Sequence, residues 1–478
     1  MSRFGLDAIP LSLHLASVLG GLLLYVVTTH LRREHRRSPA AIAWVLLIVL
    51  LPYVAVPLYL LFGTRKLRPA GRQAHRHGAA GAIVGVALAG SESHLASPAP
   101  RWAAATLNGM GIAPPVASEA LVFHEDGLRS LASLQALIDG ARERIDLSTY
   151  LWRDDAIGAD IAMRLARAAG SGVQVRVLID GFGGFLTSRA RLRRLRAAGV
   201  QVRWFMPMLR WSPRGHANAR CHRKLAIADA GVCWSGGRNL GAEYFTGHHG
   251  RGPWIDLTFE ARGMLAVQAL DMFEATWAHA AGARSMASRR RLTETALPAG
   301  AHAAQVIASG PDQVEDTVYA LLLTALYRAE SRVIAVTPYF VPDDGLLEAM
   351  RHAAGRGVVV DVLLPERSNH PLADIARHRG LRSLVHAGVT VRFAPTMLHA
   401  KLVVIDESMA LCGSVNLDGR SLFLNFESMT AFYDAQDIAW LRGWAARAAA
   451  DASVYPARRP SIFRDTAEGL LLWLAFQL

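Results

Sequence analysis

Cysteine is nearly absent from this chain, with three residues in 478: Cys221, Cys233 and Cys412. So sparse and odd a set supplies neither a disulfide framework nor a CxxC metal pair, and it fits a reducing compartment. Disorder is excluded as well, because hydrophobic residues make up 52% of the sequence and charged residues only 19%. Acidic residues are the scarcer sign. The 39 Asp+Glu against 52 Lys+Arg leave a net charge of +13, which points to an anionic partner such as a phospholipid headgroup, a membrane surface or nucleic acid.

Charge is missing altogether from residues 40–62, a run of 23. With 11–29 before it, this gives two apolar runs, each long enough to cross a bilayer. No small-residue cleavage site separates them as a secretory signal would require. We therefore expect a membrane hairpin over 1–68, although Pro52 and Pro57 interrupt its second arm. Arg32, Arg33, Arg36 and Arg37 lie between the runs, and Arg65, Lys66, Arg68, Arg72 and Arg76 follow them, so the positive-inside rule is nearly balanced. Cysteine usage places the large C-terminal part in the cytoplasm, at the inner membrane. Residues 69–118, rich in Ala, Gly, Ser and Pro, read as a linker with partial helix. Beyond them strand and helix alternate, with 144–150 a strand, 159–169 a helix and 173–179 a strand, as in α/β folds.

That pattern occurs twice. Ala168-Ala-Gly-Ser-Gly-Val-Gln-Val-Arg-Val-Leu178 returns as Ala353-Ala-Gly-Arg-Gly-Val-Val-Val-Asp-Val-Leu363, and Ala198-Gly-Val-Gln-Val-Arg203 as Ala387-Gly-Val-Thr-Val-Arg392. The repeat culminates in its most polar stretch. His222-Arg-Lys224, Asp229, Gly236, Gly237 and Asn239 are mirrored at identical spacing by His399-Ala-Lys401, Asp406, Gly413, Ser414 and Asn416. An insertion ahead of His222 carries Arg210, Arg214 and Arg220, and we expect it to form a basic loop at the mouth of the site.

Residues two apart on a strand share a face, so each His and its Lys line one wall while the residue between them points away. Glycines let backbone approach a ligand, and Asn239 and Asn416 offer amide donors to phosphate oxygen, with Gly237 and Ser414 beside them. Two half-sites brought together place two His, two Lys and two Asn on one anion. A metal is disfavoured, since the ammonium next to each imidazole opposes a cation, and no cofactor is expected. Asp229 and Asp406 complete the candidate catalytic set, although their place beside an expected turn fits turn and core hydrogen bonding better.

HxKxxxxDxxxxxxG[GS]xN, present twice, resembles the HKD signature of the phospholipase D superfamily. Thr337-Pro-Tyr-Phe-Val-Pro342, Gly413-Ser-Val-Asn-Leu-Asp-Gly-Arg-Ser421, Leu424-Asn-Phe-Glu427 and the hairpin ending Pro57-Leu-Tyr-Leu-Leu-Phe-Gly63 resemble bacterial cardiolipin synthases over nearly the whole chain. Two departures stand out: Cys221 where the family usually has Asn, and Ala228 and Ala230 around Asp229 where bulkier residues are common.

The resemblance implies an α/β fold of two pseudo-symmetric phospholipase-D-like domains, 119–298 and 299–458, packed around one active site behind the N-terminal two-helix transmembrane hairpin. It further implies metal-independent transfer of a phosphatidyl group between phosphatidylglycerols through a phosphohistidine, releasing glycerol. His222 is then the nucleophile and His399 the acid and base, with the reverse assignment open, and Lys224 and Lys401 neutralise the phosphate. By similarity, Asp256 and Glu427 are the carboxylates that orient the histidines. Expected partners are the phospholipid bilayer, phosphatidylglycerol and, as an alternative donor, phosphatidylethanolamine, with no nucleic acid. Hydrolysis by water and nuclease action are the alternative readings. The tail 459–478 reads as an amphipathic segment, either interfacial or packed on the core.

Overall fold

The computed structural model describes residues 11–32, 38–63, 66, 99–207, 218–248, 250–282 and 302–474. The repeated sequence folds alike because it carries the same local signals twice. Asp155 caps the helix Ala156–Gly170 through the Gly158 N–H, and Asp343 caps Asp344–Gly355 through the N–H groups of Gly345 and Leu346. Each helix gives way to its next strand through a left-handed glycine, Gly172 (φ +94°) or Gly357 (φ +92°). The expected helix at 159–169 therefore begins three residues earlier, at its Asp cap.

The first half supplies β1 (Val116–His124), β2 (Arg144–Thr149), β3 (Gln174–Asp180), β4 (Gln201–Phe205), β5 (Leu225–Ala228), β6 (Val232–Gly236) and β7 (Thr258–Gly263). The second supplies β8 (His302–Ser309), β9 (Arg332–Val336), β10 (Phe340–Val341), β11 (Val359–Pro365), β12 (Thr390–Ala394), β13 (Leu402–Ile405), β14 (Met409–Gly413), β15 (Leu417–Asp418), β16 (Glu427–Phe432) and β17 (Ser453–Val454). One sheet runs β17-β12-β11-β9-β13-β14-β16-β8-β1-β7-β6-β5-β2-β3-β4. Outward from its centre, β8-β16-β14-β13-β9-β11-β12 repeats β1-β7-β6-β5-β2-β3-β4, so the antiparallel β1–β8 pairing (Val116↔Ala304, Ser118↔His302) marks a pseudo-twofold axis.

Strand alternation divides the apolar residues among three cores. Leu225 and Ile227 of β5 join Leu402 and Val404 of β13 in a core shared by both halves, which also takes in the helices Met264–Ala280 and Ala435–Ala448. Ala226 and Ala228 face a separate first-half core, and Val403 and Ile405 a second-half one.

Two segments outside the repeat join this body. Helix Arg101–Gly109, within the expected linker, buries Ala103 and Leu107 in the second-half core, while 67–98 lie outside the described residues. The C-terminal helix Ile462–Leu474 packs along Pro371–His386, and Arg382 pairs there with Asp465 (3.2 Å) and Glu468 (2.7 Å).

Among the described residues one helix, Leu11–Arg32 at the N-terminus, is long and apolar enough to cross a membrane, through its stretch Ser12–Thr29. The expected second span is instead two helices, Ser38–Leu50 and Pro52–Phe62, of 13 and 11 residues. At 1.5 Å per residue they reach about 20 and 17 Å, short of the roughly 30 Å hydrocarbon core. The physical reason is Pro52, which has no N–H and drives the residue before it out of the helical region; Leu51 sits at φ −139°, ψ 60°. The three helices pack around Tyr59, whose hydroxyl lies 2.5 Å from that of Thr28, beside Tyr25 and Trp44.

Arg223 links the halves. It faces away from its neighbours His222 and Lys224 and donates to Glu427 O (2.9 Å), Thr276 Oγ1 (2.6 Å), Ser309 O (3.2 Å) and Asp312 (3.0 Å) while 1% exposed. Arg223→Ala would strand these buried acceptors, at an expected cost of about 3 kcal/mol or more. Thermal unfolding of the detergent-solubilised protein should show a Tm lower by several degrees; an unchanged Tm would mean that the halves are held together elsewhere.

Candidate functional site

Each histidine enters the site on a segment that bridges to the opposite half. Cys221 pairs with Phe426, and the His222 N–H donates to Phe426 O (2.8 Å); Leu398 pairs with Ile255, and the His399 N–H donates to Ile255 O (2.7 Å). These bridges bring Glu427 of the second half to His222, with both carboxylate oxygens 3.0 Å from Nδ1. Asp256 of the first half lies 2.7 Å from Nδ1 of His399. The two carboxylates hold equivalent places, since Thr258 pairs with Gly236 and Met429 with Gly413. Both are fully buried.

The lysines stand on the same face as their histidines. Lys224 Nζ donates to His222 O (2.8 Å), while Lys401 Nζ donates to His399 O and lies 3.1 Å from both ring nitrogens. Burial governs the protonation of all four. It lowers His222 to about 4, with Lys224 and Lys401 pushing the same way against Glu427. It lowers His399 to about 3, with Lys401 and Lys224 adding to it against Asp256. Burial also takes Lys224 down to about 7 and Lys401 to about 8. Each imidazole thus feels the ammonium of the other half, as expected for one shared pocket. Burial alone would raise Asp256 and Glu427, but His399 and Lys401 hold Asp256 below the usual carboxylate range, and His222 and Lys224 do the same for Glu427.

The D of the signature is placed elsewhere, which corrects the inclusion of Asp229 and Asp406 in the catalytic set. Each is at φ +51° at the far end of a four-residue strand from its histidine, about 13 Å of strand away. The Asp229 carboxylate accepts the backbone N–H groups of Arg142, Glu143 and Arg144, and that of Asp406 those of Glu330, Ser331 and Arg332. In a left-handed turn a short acidic side chain can collect these donors, so the pair closes the turns that start β2 and β9.

Gly237 and Ser414 are corrected too. A Cβ at 237 would collide with Asp256 Oδ1, so glycine makes room for that carboxylate. At the matching place the Ser414 hydroxyl donates to Glu427 (2.5 Å), which also accepts from Asn425 Nδ2 (3.2 Å). These two positions hold the orienting carboxylates. Asn239 and Asn416 are buried at the site, Asn239 Nδ2 donating to the Tyr244 hydroxyl (2.8 Å). The amide oxygens of both asparagines are buried without a protein partner; turning the Asn239 amide over would let Tyr244 donate and aim two N–H groups at a phosphate.

Sequence reasoning missed the aromatic cover and one carboxylate. Tyr150 lies edge-on to His222 (5.0 Å between ring centres), and Tyr244 and Trp254 against His399 (5.1 and 5.6 Å). Asp180, at the end of β3, accepts the N–H of Cys221 (2.8 Å) and fixes the residue before the first histidine. Tyr150 and Asp180 share a signal, position at the C-terminal ends of β2 and β3, where open α/β sheets place ligands, whereas Tyr244 and Trp254 lie in the connection from β6 to β7 and carry no such signal. Of the insertion expected at the mouth, Arg210 and Arg214 lie outside the described residues, while Arg220 donates to Met206 O (3.2 Å).

Known proteins share this two-part architecture. The family model described as cardiolipin synthase, PLD-like domain, matches residues 134–258 and 322–448, one stretch in each half. That of the phospholipase D-nuclease N-terminal region matches 21–63. The chain is 32% identical over 418 residues to cardiolipin synthase A of Pseudomonas putida, covering 85% of each. It is 31% identical over 466 residues to that of Pseudomonas aeruginosa strain LESB58, covering 91% of this chain and 90% of the relative. Among solved structures, phosphatidylserine synthase of Haemophilus influenzae Rd KW20 shares the fold at a TM-score of 0.59 and 14% identity, over 78% of this chain and 96% of that one.

The two kinds of carboxylate should separate on mutation. Asp256→Asn and Glu427→Gln should lower kcat by about 10²–10⁴ with little change in Tm. Asp229→Asn and Asp406→Asn, which keep a side chain tolerant of positive φ, should keep kcat and lose about 1–2 kcal/mol of stability. Paired assays of turnover and thermal unfolding check this, and a large kcat loss at Asp229 with unchanged Tm would return that residue to the reaction.

Proposed function

The chain belongs to the phospholipase-D-like cardiolipin synthases, and from that premise we propose how its site performs the transfer. It is a phosphatidyltransferase that makes cardiolipin from phospholipid, and it is associated with the membrane. The observation that carries the mechanism is the exchange of carboxylates, each histidine being held at Nδ1 by an acid from the other half.

A carboxylate on Nδ1 keeps the proton there, leaving the Nε2 lone pair free to attack. His222, neutral because it is buried, attacks the phosphorus of a phosphatidylglycerol, and the P–O bond to the headgroup breaks. His399, lowered to about 3 in the empty site, is raised by the negative phosphodiester beside it and takes up a second proton at Nε2; it gives that proton to the departing glycerol alkoxide, so one phosphatidyl-His222 and one glycerol result. His399, now neutral, takes the proton of a hydroxyl on a second phosphatidylglycerol. That oxygen attacks the phosphorus, the P–N bond breaks, and cardiolipin leaves with His222 restored. His222 retains 9% exposure and His399 3%, which favours His222 as the group that meets the phosphorus.

Lys224 and Lys401 neutralise the charge that builds on the equatorial oxygens. A phosphodiester between them supplies the counter-charge their burial lacks, raising both above the values of about 7 and 8 that they hold in the free enzyme. Asn239 and Asn416 bind the non-bridging oxygens. Water in place of the second lipid would give phosphatidic acid by the same steps.

Phosphatidylglycerol vesicles incubated with the full chain should yield cardiolipin and glycerol by mass spectrometry, while His222→Ala and His399→Ala should each yield neither. A chelator should leave the yield unchanged. Phosphatidic acid as sole product would make the protein a hydrolase, and no lipid product, with or without added phosphatidylethanolamine, would favour a nuclease.

For the membrane part we place both N-terminal apolar segments in the bilayer and the catalytic halves in the cytoplasm of a bacterial cell. The support is the row of exposed apolar residues on all three helices, including Leu19, Leu23, Leu46, Leu50, Val54 and Leu60, and the three buried, unpaired cysteines. A cysteine at the exposed position Leu128 should react with a membrane-impermeant maleimide only after spheroplasts are lysed; labelling in intact spheroplasts would reverse the orientation.

A further inference from the structure

The turn after β3 exposes three large apolar side chains in succession: Phe182 at 55%, Phe185 at 66% and Leu186 at 68%. Its backbone is nonetheless fixed. Asp180 Oδ1 accepts the N–H groups of Phe182 (2.8 Å) and Gly183 (3.0 Å), while Oδ2 of the same carboxylate accepts that of Cys221, next to His222. A Cβ at Gly183 would collide with the Tyr150 carbonyl, so the turn lies directly on the residue whose ring meets His222. A rigid apolar tip is therefore built one residue away from a reacting group, where ordinary folding would favour polar side chains.

The internal repeat supplies a control. β3 and β11 correspond residue for residue, so the turn at 182–186 matches Arg367-Ser368-Asn369-His370-Pro371 in the second half. The scaffold itself does not require apolar residues there.

We propose that the apolar turn at 182–186 is a membrane wedge that enters the headgroup and upper acyl region of the bilayer, so that a lipid phosphodiester reaches His222 without leaving the membrane surface. This deepens the transfer reading above and rests on it. Two further contacts select a bilayer as the occupant. The Arg220 guanidinium lies over the Phe182 ring (5.8 Å), giving the apolar-beside-basic pattern that suits an anionic lipid surface. Lys66, just beyond the N-terminal apolar helices, pairs with Asp316 (2.9 Å) and donates to Gly310 O (3.3 Å), next to Ser309, which pairs with Glu427 across the sheet. The membrane segment is thus fastened beside the same His222–Glu427 pair that the turn flanks.

The test uses the full chain in phosphatidylglycerol/phosphatidylcholine vesicles, with a nitroxide on Phe185→Cys or, in the matching polar turn, Arg367→Cys. The native cysteines are buried at 1% exposure or less and should not label. The label at 185 should be more accessible to oxygen than to a water-soluble nickel chelate, and the label at 367 the reverse; a water-like label at 185 overturns the wedge. This readout needs no turnover, so it stands whether or not the transfer reading does. In parallel, Phe185→Ser/Leu186→Ser should raise the apparent KM for vesicular phosphatidylglycerol tenfold or more, while leaving turnover of a monomeric short-chain phosphatidylglycerol unchanged. Equal loss on both substrates, or no loss on either, also overturns it.

Discussion

Two buried carboxylates crossing a pseudo-twofold axis are the constraint on which the rest of the structure depends. Asp256 and Glu427 are fully buried, and each meets a histidine from the other half of the chain. An isolated carboxylate at such a place costs several kcal/mol, so neither half is complete alone. The surrounding features serve these two contacts. The parallel bridges Cys221–Phe426 and Ile255–Leu398 set the approach, Gly237 clears space for one carboxylate, and Ser414 bonds the other. The shared apolar core then keeps the pairs dry, and dryness is what sets the chemistry.

Dryness works against an empty site that must bind an anion, since it lowers the lysines as well as the histidines. For His222 the effect is useful, because a nucleophile must present a lone pair, whereas His399 has to be charged by the bound phosphodiester before it can act as the acid. For the lysines the penalty is removed by the ligand, as a phosphodiester placed between two ammonium groups restores their charge more than it would in water. The site is therefore electrostatically unfinished until substrate arrives. Much of its binding strength is reserved for an anionic centre, and most of all for the extra charge of the five-coordinate state.

The sequence made the duplication and the four His and Lys positions legible for one reason: both copies keep the same spacing along a single strand, where periodicity of two decides which side chains share a face. The orienting carboxylates had no such signal. Asp256 and Glu427 are equivalent in the sheet, yet Asp256 lies 20 residues after Gly236 and Glu427 only 14 after Gly413, so only a family resemblance pointed to them. The roles of Gly237 and Ser414 were hidden because a residue near a ligand and a residue behind a carboxylate read alike in one dimension. The second apolar segment was legible as a run of residues but not as two helices: apolar composition counts residues, whereas Pro52 decides whether they form one helix. Asp229 and Asp406, conspicuous in the motif, are conspicuous for folding, since three backbone N–H groups converge on each.

A twofold scaffold poses a problem that the chemistry must solve. The transfer proposed above needs one histidine bonded to phosphorus and one moving protons, so a perfectly symmetric site would attack from either side. The chain breaks its symmetry in several places, all close to the histidines. Arg223 in one copy is Ala400 in the other, and a glutamate orients His222 where a shorter aspartate orients His399. His399 is packed between Tyr244 and Trp254, whereas among the described residues His222 has Tyr150 as its aromatic neighbour. The last difference leaves His222 the more open ring, at 9% exposure against 3% for His399. A confined ring suits repeated proton transfer at a fixed atom, because its geometry persists between the two displacements. An open ring suits covalent attachment of a bulky phosphatidyl group, whose acyl chains need a route away from the core. The repeat thus provides the paired charges that any phosphodiester transfer requires, and in the transfer proposed above its imperfections favour His222 for attack and His399 for proton movement.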